Sequence, residues 1–176
     1  MLGFMLVLVY FGGAALAAFV ILQPDRFVVT RSAVIDAAPE DVFRYINELR
    51  NWEAWSPWAR LDPQARTSYV GPASGAGAAF EWSGDKKLGA GRMTITESRP
   101  FEGVDIRLEM RKPVSGANDL RFQLTPETQD RTHVVCTMSG RNNLFSKAMN
   151  LFGSCDKKVG GQFEAGLANL SAIFRR

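Results

Sequence analysis

The chain has 176 residues, of which 46% are hydrophobic and 22% are charged, a composition too apolar for a disordered protein and ordinary for a globular one. The formal net charge of +3 comes from short basic pairs with acidic residues between them, so no nucleic acid is expected among the partners. Two cysteines that lie far apart in the sequence make a poor disulfide framework.

The N-terminal segment is uniformly apolar. Residues 1–22 carry no charged side chain, and as a helix they would span about 33 Å, close to the hydrocarbon thickness of a bilayer. We therefore expect a transmembrane anchor over residues 1–24 and one domain over residues 25–176. A cleaved signal peptide is the alternative, because Ala15-Leu16-Ala17 resembles a cleavage site, but a basic n-region is missing and the apolar run continues beyond it.

Small residues recur four apart within this segment and form a smooth strip on one helix face: Gly13, Ala14, Ala17 and Ala18. Such strips let helices pack closely in a bilayer, which predicts a transmembrane partner protein or a homodimer. The alternative is that alanine and glycine are simply common in membrane spans. Basic residues follow the span and none precedes it, which favours a single-pass membrane protein with a cytoplasmic domain.

Residues 39–58 read PEDVFRYINELRNWEAWSPW. A proline at the first helical position, acids in the first turn and an apolar stripe predict a helix that starts at Pro39. Trp52, Trp55 and Trp58 follow at helical spacing, and Pro57 limits how far a regular helix can continue. We expect these three large rings to be buried against another part of the domain.

Alternating apolar and polar residues predict strands on both sides of this helix. RFVVTRSAVI is the first, and six more follow: TSYVG, AAFEWSG, RMTITES, GVDIRLEMRK, NDLRFQLTP and THVVCTMSG. They indicate an antiparallel meander with one wet face and one covered face. Arg31 and Glu97 are expected at strand ends or on the wet face, although Glu97 shares the parity of the apolar Met93 and Ile95.

The covering element is expected at the C-terminus. Residues 144–174 contain no proline, and their apolar residues recur at steps of three and four, which predicts a long helix with a break near Gly153. Gly160 and Gly161 are unfavourable inside a helix, so we expect them to allow close approach to the sheet.

Four stretches carry a family resemblance: RSAVIDAAPEDVFRYINELRNWEAWSPW, GPASGAGAAFEWSG, GAGRMTITES and DKKVGGQFEAGLANL. In this order they resemble the polyketide-cyclase-like branch of the START/SRPBCC superfamily over residues 27–174. The resemblance implies an α+β helix-grip fold, in which a curved antiparallel sheet wraps around a long C-terminal helix. A deep hydrophobic cavity would lie between the sheet and this helix. The transmembrane helix would precede this fold.

Inward-facing residues of the strands, the tryptophans and the last helix are the candidates to line that cavity. They are Trp52, Trp55, Trp58, Phe80, Trp82, Met93, Ile95, Leu108, Met110, Phe122, Met138, Phe163 and Leu167. Ordinary core packing would produce the same alternation, so the sequence leaves open whether the space is filled or hollow. Cys136 and Cys155 also fall on inward seams, which predicts two buried thiols.

Two functions remain open. The first is a membrane-tethered protein that binds an apolar small molecule or lipid, and the second is an accessory subunit that stabilises a membrane complex without a ligand. An apolar cavity on the order of several hundred Å³ would favour the first, and a packed interior with an exposed apolar patch the second. No phosphate loop, dinucleotide fingerprint or convergent acid, base and nucleophile is visible, and His133 is the single histidine, so neither catalysis nor a cofactor or metal is expected.

Overall fold

The computed structural model describes residues 18–142, Lys147 and residues 155–175, with Cys155 described in its backbone only. Residues 1–17 lie outside this part, and with them Gly13, Ala14, Ala17 and most of the expected anchor. Residues 18–22 are helical, and Ala18 is exposed. No helix within the described residues is both long enough and apolar enough to cross a bilayer.

Seven strands form one antiparallel sheet in the order β1-β7-β6-β5-β4-β3-β2. The strands are β1 (Arg26–Ile35), β2 (Arg66–Val70), β3 (Ala79–Ser83), β4 (Ala90–Arg99), β5 (Gly103–Lys112), β6 (Gly116–Thr128) and β7 (Arg131–Arg141). Each predicted strand is present, and the expected meander is confirmed because β2 to β7 pair with their neighbours in chain order. The first strand pairs with the last, which places β1 and β2 at the two edges.

Besides the helical residues 18–22, the described part of the chain contains three helices that accompany the sheet: α1 (Pro39–Asn47), α2 (Trp52–Trp55) and α3 (Cys155–Phe174). Short 3-10 turns at Leu49–Asn51 and Pro57–Arg60 flank α2. The structure therefore confirms an α+β architecture with a sheet and a C-terminal helix that is consistent with a helix grip. The core lies on the inner, concave face of the sheet, where α1, α2 and α3 bury the apolar side of the strands.

A β-bulge in β4 changes which face its last residues occupy. Ile95 pairs with Ile106, but the next pair joins Glu97 to Asp105, so Thr96 is an extra residue on this strand. Parity along the chain would turn Glu97 inward, whereas the bulge turns it outward, where it forms an ion pair with Arg99 at 2.6 Å. The expectation that Glu97 lies on the wet face is therefore confirmed.

Arg31 lies on the inner face of β1 beneath α3, so the expectation of a solvated position is wrong. Its guanidinium binds the carboxylates of Asp156, at 3.0 Å, and Glu164 on the helix. The hydrogen bond from Arg31 lowers the pKa of the Asp156 carboxyl. Gly160 makes room for this arrangement, because a Cβ at Gly160 would come within 2.1 Å of the guanidinium.

Exchanging the two adjacent glycines of α3 for alanine is expected to have opposite effects on stability. Gly161 is exposed and a Cβ there meets nothing within 4 Å, so Gly161→Ala should raise the free energy of unfolding by about 1 kcal/mol through helix propensity. Gly160→Ala should lower it, because the methyl group displaces Arg31 from both carboxylates. Urea denaturation of the two variants measures the difference, and equal gains would show that Arg31 does not depend on Gly160.

Candidate functional site

The three tryptophans meet at the inner face of the sheet; Trp52 and Trp55 are buried as expected, whereas Trp58 is not. Trp52 and Trp55 are 6% and 4% exposed, and their ring centroids are 4.7 Å apart. Both rings contact Phe122 on β6 edge to face, at 5.7 and 6.1 Å. Trp58 is only half-buried and packs edge to face on Phe163 of α3 at 5.8 Å. The rings thus join α2 and the turn after it to both the sheet and the last helix.

The indole N–H groups of the two buried tryptophans are already used. Trp52 donates to the carbonyl of Ile46 at 2.9 Å, and Trp55 donates to that of Tyr45 at 3.2 Å. These carbonyls belong to the last turn of α1, where helical partners are missing. Within the described residues the Trp58 indole N–H makes no hydrogen bond.

A small apolar void lies beneath these rings. Its walls are Trp52, Trp55, Trp58, Leu120, Phe122, Cys136, Gln162, Phe163, Gly166 and Leu167. The void measures about 10 Å³, which is room for about one water molecule. The void lies where the resemblance implies a cavity, but at this size it is not the deep hydrophobic cavity that the resemblance implies.

Close approach of α3 explains why the space is filled. A Cβ at Gly166 would lie 3.3 Å from the Pro57 ring and 3.5 Å from the Trp55 ring, so the helix backbone comes nearly into contact with both. The side-chain amide of Asn169 donates to the Trp55 carbonyl at 3.0 Å and holds the same junction. The helix therefore presses the tryptophans onto Phe122 and leaves little space between them.

The candidate lining residues divide into two groups by burial. The enclosed ones are Trp52, Trp55, Ile95, Phe122, Met138, Phe163 and Leu167. The partly exposed ones are Trp58, Phe80, Trp82, Met93, Leu108 and Met110. Of the first group, Ile95 and Met138 are core residues that do not reach the void.

Five of the partly exposed residues form one continuous surface, which we call the inner patch: Phe80, Trp82, Met93, Leu108 and Met110. Strand register places Met93 between Phe80 and Leu108, and Gly91 between Trp82 and Met110. The rings of Phe80 and Trp82 are stacked, with centroids 5.9 Å apart. The aromatic end of the patch is thus a flat surface two rings wide.

Gly91 has no side chain and so leaves room for the Trp82 ring within the inner patch. A Cβ at Gly91 would come within 2.5 Å of the Trp82 ring, so the indole lies directly on the β4 backbone. The helix α3 packs mainly on β1, α2 and the Pro57–Arg60 turn. Within the described residues, this helix therefore covers the β1 side of the inner face and leaves the inner patch on the β3–β5 side partly exposed.

Four void-lining residues were not among the sequence candidates: Leu120, Cys136, Gln162 and Gly166. Leu120 and Cys136 have inward strand parity, so the signal for them was present. Gly166 was visible as an unfavourable glycine within a helix, but nothing in the sequence indicated that Gln162 would reach the void.

Cys136 is a buried thiol, as predicted, while the Cys155 side chain lies outside the described residues. Burial raises the pKa of the Cys136 thiol, so the group is protonated and unreactive at neutral pH. In the described part of the chain, no group of three potential metal-ligating side chains occurs. Cys136 therefore serves as one of the side chains that line the void.

The outer face of the sheet is covered by ion pairs. Asp105 lies between Arg99, at 3.0 Å, and Arg121, at 2.5 Å, and Arg107 pairs with Asp119 at 2.6 Å. Although burial acts to raise the pKa of the Asp105 carboxyl, hydrogen bonds from Arg121 and Arg99 lower it. The two faces thus differ as the alternation predicts, with charges outside and apolar side chains inside.

Residues 26–175 match the family described as polyketide cyclase / dehydrase and lipid transport, and the chain belongs to this family. This agrees with the SRPBCC resemblance in the sequence. The family description is consistent with binding of hydrophobic molecules. No curated protein matches the chain.

Solved structures share the fold at low sequence identity. Hypothetical protein jhp0584 from Helicobacter pylori is 11% identical with a TM-score of 0.64, covering 89% of this chain and 92% of its own. A protein from Nitrosospira multiformis is 21% identical with a TM-score of 0.60, covering 85% and 97%. The Aha1 dimer from Colwellia psychrerythraea is 16% identical with a TM-score of 0.53, covering 78% and 90%. At these identities the likeness concerns the fold alone.

Proposed function

We propose that this protein binds an apolar small molecule or lipid on the inner patch and carries it without transforming it. The observation that supports this most directly is the patch itself, five adjoining apolar side chains that keep solvent exposure on the concave face. Such a surface is normally buried in a core or covered by a ligand or partner. Met93 and Met110 give it the adaptable packing that suits ligands of varied shape.

The void beneath the tryptophans extends this site when the ligand is bound. The void has room for only about one water molecule, so a ligand can enter only if Trp58 and Phe163 separate. The contact between Gly166 and Pro57 would open in the same movement. Trp58 is the side chain that moves to open this entrance, because it is half-buried whereas Trp52 and Trp55 are enclosed.

The chemistry of the walls supports binding over catalysis. Among the described residues, the side chains that line the void and make up the inner patch are apolar, apart from one thiol and one amide. Beside the patch, Tyr69 packs on Phe80, and its hydroxyl donates to the Glu53 carboxylate at 2.9 Å. A surface of this kind offers neither a general base nor an activated nucleophile.

Photolabelling with a diazirine-bearing palmitic acid tests the binding proposal. The purified full chain should be labelled saturably, with adducts on peptides that contain Met93 and Leu108, and native mass spectrometry should show a co-purifying apolar molecule. Labelling spread evenly over the surface, with no bound molecule, would contradict the proposal.

An accessory role without a ligand is the second candidate. The packed interior favours it, as do Phe19, Ile21 and Leu22, which are 59%, 62% and 83% exposed. Under this alternative the photolabel marks no specific site, and the full chain co-purifies with a membrane complex that loses stability when the chain is removed.

We also propose that residues 1–22 tether the domain to a membrane as a single span, with the domain on the cytoplasmic side. The support is the absence of charge over this length and the basic residues that follow it. The full chain should stay in the membrane pellet during alkaline carbonate extraction, and release into the supernatant would contradict the tether.

The strip of Gly13, Ala14, Ala17 and Ala18 is proposed to pack against a second transmembrane helix, in a homodimer or a larger complex. A structural relative described as a dimer is consistent with self-association. Replacing Gly13 and Ala17 with leucine should weaken cross-linking between chains in the membrane while the domain stays folded. Unchanged cross-linking would show that the strip has no such role.

A further inference from the structure

Several exposed basic side chains lie at one end of the sheet, and we call five of them the basic end: Arg26, Lys86, Lys87, Lys112 and Arg141. Arg26 begins β1 and pairs in register with Arg141, which ends β7. Lys112 ends β5, and the loop with Lys86 and Lys87 lies against it, because a Cβ at Gly89 of that loop would meet the Lys112 carbonyl. Register thus brings the five to the same end of the sheet.

These basic groups lack carboxylate partners. In the described part of the chain, none of the five lies within 4.0 Å of an acidic oxygen. The acids at this end are fewer than the basic groups. Asp85 accepts the backbone N–H groups of Lys87 and Leu88 and lies near the Lys87 ammonium group, and the Asp62 carboxylate accepts the Asp85 N–H. Asp25 binds Lys147 and lies near Arg141. Positive charge is therefore left unbalanced there.

The apolar N-terminal segment leaves the domain at this same end. Lys147 is 4% exposed and its ammonium group donates to the Ile21 carbonyl at 3.1 Å and to the Asp25 carboxylate at 2.6 Å. Asn142 binds the carbonyls of Pro24 and Asp25 and fixes the next residues. These bonds hold the end of the helix at residues 18–22, whose exposed apolar side chains continue the uncharged sequence of residues 1–17.

We propose that the basic end lies against an anionic phospholipid surface, with residues 1–22 entering the bilayer beside it. An unbalanced basic surface next to an uncharged apolar segment matches the order of an anionic headgroup layer and its hydrocarbon core. The bonds of Lys147 and Asn142 set the orientation of the domain on the membrane. This inference rests on the proposed tether and is independent of ligand binding.

Depth-dependent fluorescence quenching of the full chain in vesicles tests the orientation. A fluorophore is placed on Val114→Cys, in the exposed connection beside Lys112, or on Asp130→Cys, in the turn at the opposite end, with Cys155 replaced by serine. Vesicles contain phosphatidylcholine alone or with about 30% phosphatidylserine, and doxyl-labelled lipids act as quenchers.

We expect stronger quenching at position 114 than at position 130, only in the anionic vesicles and less at high salt. Each lysine near an anionic surface contributes about fivefold to such an equilibrium, so Lys87→Gln with Lys112→Gln should lower the docked-to-undocked ratio about 25-fold. Arg44→Gln with Arg131→Gln removes the same charge from the opposite end and should leave the ratio nearly unchanged.

Equal quenching at the two positions, or the same quenching in phosphatidylcholine alone, would overturn the inference. Flotation of the same samples separates the causes of failure. If the chain floats but position 114 is not quenched more than position 130, the tether is supported and the orientation is contradicted. If the chain floats with neither kind of vesicle, both the tether and the orientation are contradicted. The photolabelling experiment tests ligand binding, and its result does not depend on either of these outcomes.

Discussion

Replacing Trp55 with alanine is expected to lower the free energy of unfolding by about 3–5 kcal/mol, the range found for large aromatic residues removed from a packed core. The indole is 4% exposed, contacts Trp52 and Phe122, and lies close to the backbone at Gly166. Its loss would also leave the Tyr45 carbonyl without its hydrogen bond. Because α3 leans on this ring, the space created could not be refilled without moving the helix.

Urea denaturation followed by circular dichroism measures this effect, and Trp82→Ala is the matched control. Trp82 is only partly buried and belongs to the inner patch, so its removal should cost less than about 2 kcal/mol. Equal losses for the two variants would mean that the junction of α2, α3 and the sheet contributes no more to stability than the exposed end of the sheet does.

Met93→Glu is expected to reduce saturable photolabelling by the palmitic acid probe at least about tenfold, because a carboxylate would lie in the middle of the proposed binding surface and would have to be desolvated when the ligand binds. Strand register places Met93 between Phe80 and Leu108, so no repositioning along the strand moves the charge out of the patch. Partial exposure of Met93 means that the variant should still fold.

Thr94→Glu is the control for this substitution. Thr94 is the next residue along β4, faces the outer side and pairs in register with Arg107, and its hydroxyl accepts a hydrogen bond from Arg92. A carboxylate is therefore accommodated among arginines there. We expect wild-type labelling for Thr94→Glu, and if both variants label alike, the inner patch is not the ligand site.

The sequence was sufficient to predict the fold because the alternation of side chains repeats every two residues and ties each strand to one face. VDIRLEM and THVVCTMSG have the parity that the structure shows, with Ile106 and Cys136 inward and Arg107 and His133 outward. Pro39 marked the start of α1 for a similarly local reason, since its fixed backbone angle suits the first turn.

Features set by contacts between distant segments could not be predicted. Strand parity turns Arg31 inward with Val29 and Ile35, but it could not show that a guanidinium fits there. It fits because α3 leaves a space at Gly160, 129 positions away. The extra residue at Thr96 interrupts parity without a mark in the sequence. How far α3 closes on the tryptophans is also a matter of packing, so the same apolar pattern was compatible with both a hollow and a filled interior.

The hydrogen bonds of Trp52 and Trp55 to the end of α1 have a consequence for selectivity. With both indole donors occupied by Ile46 and Tyr45, the enclosed walls offer a guest molecule almost no polar group to recognise. Discrimination among guests would then follow their length and cross-section, at about 0.8 kcal/mol or roughly fourfold in affinity for each additional buried methylene. Such a protein would sort acyl chains by size and be indifferent to the functional groups they carry.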